Sequence, residues 1–199
     1  GHAEVGFSTA RRFSRLVITG PEGYQRTLEY YLKDSPYPHQ LIKSDTDSLG
    51  NTTHYTYVGN RIDTVTFPEG NKVQFTYDTM GNITSKRAIA KAGSGLADIV
   101  ERAIYPSAAS CTGILCYRPL YTLDAKGNRT DYTFDADHGG LLTRTEPADG
   151  NGYQRRTTHS YTSIDGIYRL TRTTVCAIGQ CGGAQTQITE YTYSGSTGL

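Results

Sequence analysis

Short segments of this chain alternate polar and apolar residues, which is the pattern of a β-strand with one buried face. The clearest are residues 61–67 and 72–77. Between them lies Pro68-Glu69-Gly70-Asn71, which predicts a turn because proline pre-sets φ and glycine and asparagine tolerate positive φ. A different turn at 78–82 leads into a further strand at 83–87. The pattern predicts a unit of two antiparallel strands and two kinds of turn, roughly 20 residues long.

One turn sequence, Asp-x-x-Gly-Asn, occurs three times, at 47–51, 78–82 and 124–128. Aspartate hydrogen-bonds the backbone two residues on, and Gly-Asn supplies left-handed positions, so we expect all copies to be structural turns. Their turn-forming residues are Asp47, Gly50, Asn51, Asp78, Gly81, Asn82, Asp124, Gly127 and Asn128. Residues 47–57 also align without gaps on 124–134, with six of eleven positions identical. Repetition of this kind is typical of a chain that stacks one small β unit many times.

Aromatic residues recur in register with these turns, in Tyr-Thr-Tyr or a close variant. The positions are Tyr55, Tyr57, Phe75, Tyr77, Tyr132, Phe134, Tyr191 and Tyr193. Two interpretations stand. The favoured one is a cross-strand aromatic ladder, in which each pair adds about 0.2–1 kcal/mol to the sheet. The other is a platform on which sugars stack.

The pattern as a whole predicts an all-β fold, in which tandem antiparallel hairpin repeats form a twisted, curled open sheet. Residues 1–199 are interpreted as one array, clearest at 47–87 and 117–152, with an irregular insertion at about 88–116 and a degenerate end from about 158. Within the insertion, residues 94–103 carry apolar residues at helical spacing. One or two helical turns are expected there, although the glycines, valine and isoleucine also permit a loop or strand. Gly1-His2 is interpreted as a cloning scar.

Composition supports this fold and excludes some functions. The 199 residues include 16 Tyr and 22 Gly but no Trp, which suits pleated surfaces and tight turns. The formal net charge is +1 and no basic block occurs, so neither nucleic acid nor an anionic membrane surface is expected as a partner. No apolar run approaches the roughly 20 residues that span a bilayer. The start of the sequence has no signal-peptide pattern.

Four cysteines form two pairs with equal spacing, Cys111 with Cys116 and Cys176 with Cys181. We favour a disulfide within each pair, closing a short loop between repeats. Such bonds would place the chain in an oxidising compartment or outside the cell. A four-thiolate zinc site and free structural thiols are the alternatives.

No motif indicates catalysis. His39, His54, His138 and His159 are scattered, and the sequence has no nucleophile elbow, phosphate loop or zinc-protease string. Residues 45–50 resemble the start of a calcium loop only superficially, because Leu49 occupies a ligand position. The carboxylates Asp135 and Asp137 have no facing partner that the sequence identifies. We therefore expect no enzyme activity, no cofactor and no metal.

Residues 77–84 (YDTMGNIT) resemble the tyrosine–aspartate repeat of the Rhs family, and residues 134–143 (FDADHGGLLT) resemble a variant of it. The resemblance runs from about Gly50 to Tyr193. It implies a long curling β-sheet that closes, in full-length proteins, into a hollow shell around a C-terminal toxin. The implied role is a non-catalytic piece of shell wall in a bacterial protein used in competition.

The partners that the resemblance implies are the remaining repeats and the toxin domain of the same polypeptide. It also implies that the parent protein is secreted or associated with the cell surface. An isolated segment has open strand edges, so we expect it to be marginally stable or to associate edge to edge. The alternative function is a carbohydrate-binding surface module, which exposed tyrosines would suit.

Overall fold

The computed structural model describes residues 3–4, 14–32, 36 and 40–193. Fifteen strands, numbered in chain order, account for most of them. Their bounds are β1 Ala3–Glu4, β2 Arg15–Thr19, β3 Gln25–Tyr30, β4 Ile42–Thr46, β5 Thr52–Val58, β6 Arg61–Thr66, β7 Lys72–Tyr77, β8 Ile83–Ile89, β9 Ile99–Ile104, β10 Tyr121–Leu123, β11 Arg129–Phe134, β12 Leu141–Ala148, β13 Gln154–Ile164, β14 Ile167–Ala177 and β15 Gln187–Glu190. Two short 3-10 turns lie at Pro21–Gly23 and Gly113–Tyr117.

The chain divides into two compact units, Gly1–Thr76 with Ser85–Val100, and Tyr77–Thr84 with Glu101–Leu199. In the first unit, β1 to β7 pair antiparallel in sequence order. In the second, β9 to β15 do the same. The predicted all-β class, an open sheet of tandem antiparallel hairpins, is confirmed.

Alternation along the strands gives the sheet two chemically different faces. In the first unit, Tyr55 lies opposite Val65, which lies opposite Val73. One position along, Thr56, Thr64 and Gln74 form the adjacent row. Successive residues of a strand point to opposite faces, so one face is aromatic and aliphatic and the other is polar.

Four hairpins contain an irregularity that places an aromatic residue opposite an aliphatic one. The register shifts just before Tyr30, Tyr57, Phe134 and Tyr161 on their strands. Their partners across the hairpin are Ile42, Ile62, Leu141 and Leu170, respectively. Bulges increase local twist and re-aim side chains. Their recurrence at equivalent positions indicates that the bulge belongs to the repeat.

Little of this structure is buried. Among the described residues, the buried apolar side chains are Leu28, Cys116 and Cys176, and none is completely buried. Residues as large as Leu49, Val58 and Ile167 are more than half exposed. The sheet therefore has apolar surface that its own strands do not cover.

The helical turn considered for residues 94–103 is wrong, since this segment contains no helix and ends in strand β9. Gly93 and Gly95 have φ of +80° and +69°, which a right-handed helix excludes. Asp98 instead accepts hydrogen bonds from the backbone N–H of Ala90 at 2.9 Å and from Arg87 Nε at 2.8 Å. These bonds close the loop between β8 and β9.

The Pro68 turn was expected to differ in kind from the aspartate turns, and this expectation is also wrong. Phe67 donates its backbone N–H to the carbonyl of Asn71 at 3.0 Å, and Gly70 donates to Phe67 at 2.9 Å. The Asp47 turn makes the same two backbone bonds, from Asp47 to Asn51 and from Gly50 to Asp47. A single backbone corner therefore serves both sequences, with or without the aspartate.

Candidate functional site

The three Asp-x-x-Gly-Asn corners share one hydrogen-bond pattern. In each, aspartate Oδ1 accepts the backbone N–H groups of the residues two and four positions on, at 2.8–2.9 Å. Aspartate Oδ2 accepts the asparagine side-chain amide at 2.7–2.9 Å. The glycines Gly50, Gly81 and Gly127 all have φ between +82° and +92°. Glycine is favoured there because other residues are strained at positive φ.

These bonds also fix the ionisation of the corner carboxylates. Side-chain bonds from Asn51 and Asn128, followed by backbone N–H donors, lower the pKa of Asp47 and Asp124. At Asp78 burial acts to raise the pKa, but the bonds from Asn82 and from backbone N–H groups outweigh it and the pKa is lowered. Hydrogen bonds donated to an ionised carboxylate stabilise the charged form and therefore lower its pKa. Near neutral pH the three groups are therefore fixed acceptors, poorly suited to giving or taking protons.

The Asp78 corner differs from the other two in being covered. The Asn82 side-chain amide donates a further bond to the carbonyl oxygen of Cys116 at 2.9 Å. Asn82 is only 8% exposed and Cys116 only 9%. Met80 Sδ lies 3.8 Å from Cys111 Sγ, a van der Waals contact because a disulfide sulfur carries no proton. The disulfide loop around 111–116 thus lies over this corner.

Both predicted disulfides are confirmed. Cys111 bonds Cys116 and Cys176 bonds Cys181, each with Cα atoms 5.1 Å apart. The zinc and free-thiol alternatives are not supported, because the described part of the chain contains no unpaired cysteine. The chain-entropy model gives about 2 kcal/mol for loops this short. Two disulfides indicate an oxidising environment.

A fourth aspartate corner begins at Asp149, directly after strand β12. Asp149 Oδ1 accepts the backbone N–H groups of Asn151 and Tyr153 at 2.9 Å. The backbone closes with bonds from Asp149 to Tyr153 and from Gly152 to Asp149. Tyr153 stands where the other corners have asparagine, so no amide reaches Oδ2. The spacing Asp-x-x-Gly at 149–152 was the sequence signal for this corner.

A longer corner at 135–140 encloses His138. Its imidazole stacks on Tyr168 with ring centres 4.3 Å apart and packs against Tyr161 at 4.8 Å. His138 Nδ1 accepts the backbone N–H of Gly140 at 3.1 Å, and Nε2 lies 3.4 Å from Asp135 Oδ1. The ring therefore closes the corner as a packing element, a role that sequence inspection missed because both tyrosines are distant in the chain.

Tyrosine hydroxyls bind backbone carbonyls at positions that recur from repeat to repeat. Tyr57 donates to Ile42 at 2.8 Å, Tyr161 to Leu141 at 3.1 Å and Tyr193 to Leu170 at 2.8 Å. The accepting residues Ile42, Leu141 and Leu170 lie opposite Tyr30, Phe134 and Tyr161, respectively, in the bulged hairpins described above. Each of these three tyrosines therefore ties its part of the chain to the hairpin that precedes it.

The structure places the remaining residues of the predicted ladder as follows. Tyr132 and Phe134 stack along one strand with ring centres 6.2 Å apart, and Tyr132 shares a 3.2 Å hydrogen bond with Thr122. Tyr57 meets Tyr31 edge to face at 6.1 Å. Burial raises the pKa of Tyr55 and Tyr57. At the other four positions, Phe75, Tyr77 and Tyr193 are half-buried and Tyr191 is exposed.

The other candidates for chemistry are dispersed or already paired. Asp45 makes a two-pronged ion pair with Arg26 at 2.9 and 2.5 Å, which lowers the pKa of its carboxyl. His54 is exposed, and His159 Nδ1 lies 3.1 Å from Thr173 Oγ1. His39 falls outside the described residues. Across the ranges that the structure describes, no three metal-ligating side chains gather.

Helical structure in the described part of the chain is limited to short 3-10 turns, and none of it could span a bilayer.

Among solved structures, the chain is similar to a crystal structure of TcdB2-TccC3-TEV. The TM-score is 0.38 and the identity 14%, and the match covers 85% of this chain and 10% of that one. This chain thus spans about one tenth of the length of the chain that it matches. No family model matches the sequence. No curated protein matches it. The likeness is distant.

Proposed function

We propose that this chain is a structural, non-catalytic segment of the wall of a bacterial Rhs-type β-shell, which encloses and helps to deliver a C-terminal toxin of the same polypeptide. The observation that carries the proposal is the repetition of one corner and one tyrosine–carbonyl tie along the chain. Three corners agree in side-chain hydrogen-bond lengths to within 0.2 Å. Repeated geometry of this kind is what stacked repeats require.

The uncovered sheet supports the same proposal. An array whose units contact only their neighbours leaves one face to be covered by further repeats or by an enclosed domain. The apolar side chains that remain exposed, such as Val58 and Ile167 at 63% and 58%, are consistent with surface of this kind. The neighbouring repeats and the enclosed domain are the proposed partners.

The corner carboxylates support a role without catalysis. Asp47, Asp78 and Asp124 each accept three hydrogen bonds and have a lowered pKa. A general acid or base needs a pKa near the working pH, which these groups are arranged to avoid. The disulfides suit a parent protein that is secreted or exposed at the cell surface.

Limited proteolysis of the full polypeptide tests the proposal. In the wild type, the C-terminal domain should resist protease concentrations that digest the same domain expressed alone. The double variant Gly50→Val with Gly127→Val forces branched residues to φ of +84° and +82° and should open the wall. Gly150→Val is the matched control, because nothing lies within 4 Å of a side chain there and its φ is not among the positive ones.

Equal digestion of the C-terminal domain with and without the repeats would contradict the proposed role as a protective shell wall. So would undiminished protection in the double variant once circular dichroism has shown that its corners are lost.

A further inference from the structure

The loop closed by Cys111 and Cys116 contacts a second corner besides the one at 78–82. The Ile114 side chain lies directly on Gly139, which belongs to the corner at 135–140. A side-chain carbon placed on Gly139 would lie 2.8 Å from Ile114 Cδ1 and 3.0 Å from Ile114 Cγ2, closer than such atoms approach one another. Glycine at position 139 therefore leaves room for the loop.

The loop residues that make these contacts all lie within 111–116. The carbonyl oxygen of Cys116 accepts the Asn82 amide at 2.9 Å, and Cys111 Sγ lies 3.8 Å from Met80 Sδ. Ile114 lies between the two cysteines in the chain and reaches the other corner. All of these residues belong to the second compact unit. A change in the shape of the loop therefore acts on both corners.

The disulfide is the covalent closure of a loop with little regular structure. Its 3-10 turn covers only Gly113–Tyr117, and Thr112 before the turn makes no side-chain capping bond. Such turns are short because their hydrogen-bond geometry is poor. The bond holds the Cα atoms of Cys111 and Cys116 5.1 Å apart. Cleaving it removes the restraint that fixes both contact ends of the loop.

The second disulfide of the chain provides an internal comparison. Cys181 is exposed, whereas Cys111 is half-buried and Cys116 is buried. Thiol–disulfide exchange requires that a thiolate reach one of the two sulfurs. A thiol should therefore reach Cys181 first, and in the covered pair it should reach Cys111, the more accessible of the two residues.

We propose that the Cys111–Cys116 bond is a reversible redox site that controls the packing of the loop on both corners, and that its co-reactant is a dithiol reductant. One thiolate of the reductant attacks Cys111 Sγ, and Cys116 leaves as a thiolate that takes up a proton. The second thiolate of the reductant then displaces Cys111, which is protonated in turn. The protein gains two electrons and two protons, and the reductant becomes a disulfide.

Reduction frees the cover and not the corners. The aspartates that open the two corners bond residues of their own turns, and these bonds do not involve the loop. What is lost is the bond from Asn82 to Cys116 and the contact of Ile114 with Gly139. The loop is thus closed in an oxidising environment and open in a compartment that thiols keep reducing. The site goes beyond the wall function and does not rest on it, because the loop and both corners lie in this chain.

A variant with serine at Cys176 and Cys181 retains this bond alone and is used to test the proposal. It is incubated with dithiothreitol in the absence of denaturant, and its free thiols are alkylated and identified by mass spectrometry. We expect reduction in the folded state and roughly tenfold faster amide exchange at both 78–84 and 135–140. Reoxidation with oxidised glutathione should restore slow exchange at both.

The matched control has serine at Cys111 and Cys116 and keeps the other disulfide. Dithiothreitol should reduce that bond and leave exchange at both corners unchanged. Ile114→Ala keeps the loop closed, so it should quicken exchange at 135–140 while 78–84 stays protected through Asn82.

Three outcomes overturn the proposal: reduction of the Cys111–Cys116 bond only after urea is added, unchanged exchange at either corner once the bond is reduced, or the same response to dithiothreitol in the control. The readout is amide exchange in this chain, whereas the wall is tested by protection of the C-terminal domain. Failure of one proposal is therefore distinguishable from failure of the other.

Discussion

The corner at 78–82 and the corners at 47–51 and 124–128 carry the same turn sequence in different surroundings. Their internal bonds match in partners and in length. Yet Asn82 is buried and bonded to Cys116, whereas Asn51 and Asn128 are exposed. The local sequence therefore sets the shape of the corner, and a distant segment decides whether that corner also stabilises packing.

The covering segment is an insertion, not a repeat. It lies between β9 and β10 and holds its shape through a 3-10 turn and the Cys111–Cys116 disulfide. Because Asn82 uses one amide group for both Asp78 and Cys116, the insertion needs the corner in its standard geometry. The repeat thus provides a fixed docking point that an irregular loop can use.

The largest expected contrast is between asparagine substitutions in the covered and uncovered corners. Asn82→Ala removes two side-chain bonds and leaves a buried carbonyl without this donor, so we expect a loss of about 3 kcal/mol in the free energy of unfolding. Asn51→Ala and Asn128→Ala remove one exposed bond each and should cost about 1 kcal/mol or less. Urea denaturation measures all three, and equal losses would refute the special role of Asn82.

The disulfide offers the next contrast. Replacing Cys111 and Cys116 with serine should cost about 2 kcal/mol by the chain-entropy model. Amide exchange should quicken at residues 78–84, because the loop that covers them is no longer closed. The matched variant with serine at Cys176 and Cys181 should quicken exchange near its own loop and leave 78–84 as in the wild type. The same response at 78–84 in both variants would argue against a specific cover.

The two uncovered corners should respond alike to glycine substitution. Gly50 and Gly127 have φ of +84° and +82°, and nothing lies within 4 Å of an added side chain at either. Alanine there meets only backbone strain, which costs roughly 1–2 kcal/mol. Thermal unfolding of Gly50→Ala and Gly127→Ala should give losses that agree within about 0.5 kcal/mol. A large difference would show that the two corners are not equivalent.

The smallest effect concerns acid. The corner carboxylates have a lowered pKa in the folded state, so they contribute stability that is fully present above the unfolded pKa of about 3.9. That contribution is lost as the pH falls through the lower folded pKa, because the unfolded chain binds protons first. Stability measured between pH 6 and pH 2 should decline below about pH 4. A variant with asparagine at 47, 78 and 124 should decline less steeply; an unchanged slope would count against these groups.

Much of the fold was accessible from the sequence, for local reasons. Strand alternation and the Asp-x-x-Gly-Asn spacing act over a few residues, and a five-residue separation lets cysteines pair within one loop. The helical spacing at 94–103 misled because Gly93 and Gly95 adopt positive φ, which outweighs an apolar periodicity. Local patterns predicted elements well where no glycine or loop contact opposed them.

The parts that depend on distant contacts could not be read in this way. Nothing near Asn82 in the chain indicates that Cys116 will cover it. The hydroxyl bond from Tyr57 to Ile42 spans two strands and follows a bulge that alternation alone does not locate.

The central claim, that the three Asp-x-x-Gly-Asn corners are one geometric device, is tested most directly by following the side-chain carboxyl carbons of Asp47, Asp78 and Asp124 by NMR as the pH is lowered. All three should titrate below the value of about 3.9 found for free aspartate. A carboxyl that titrates at or above that value in any of the three corners would contradict it.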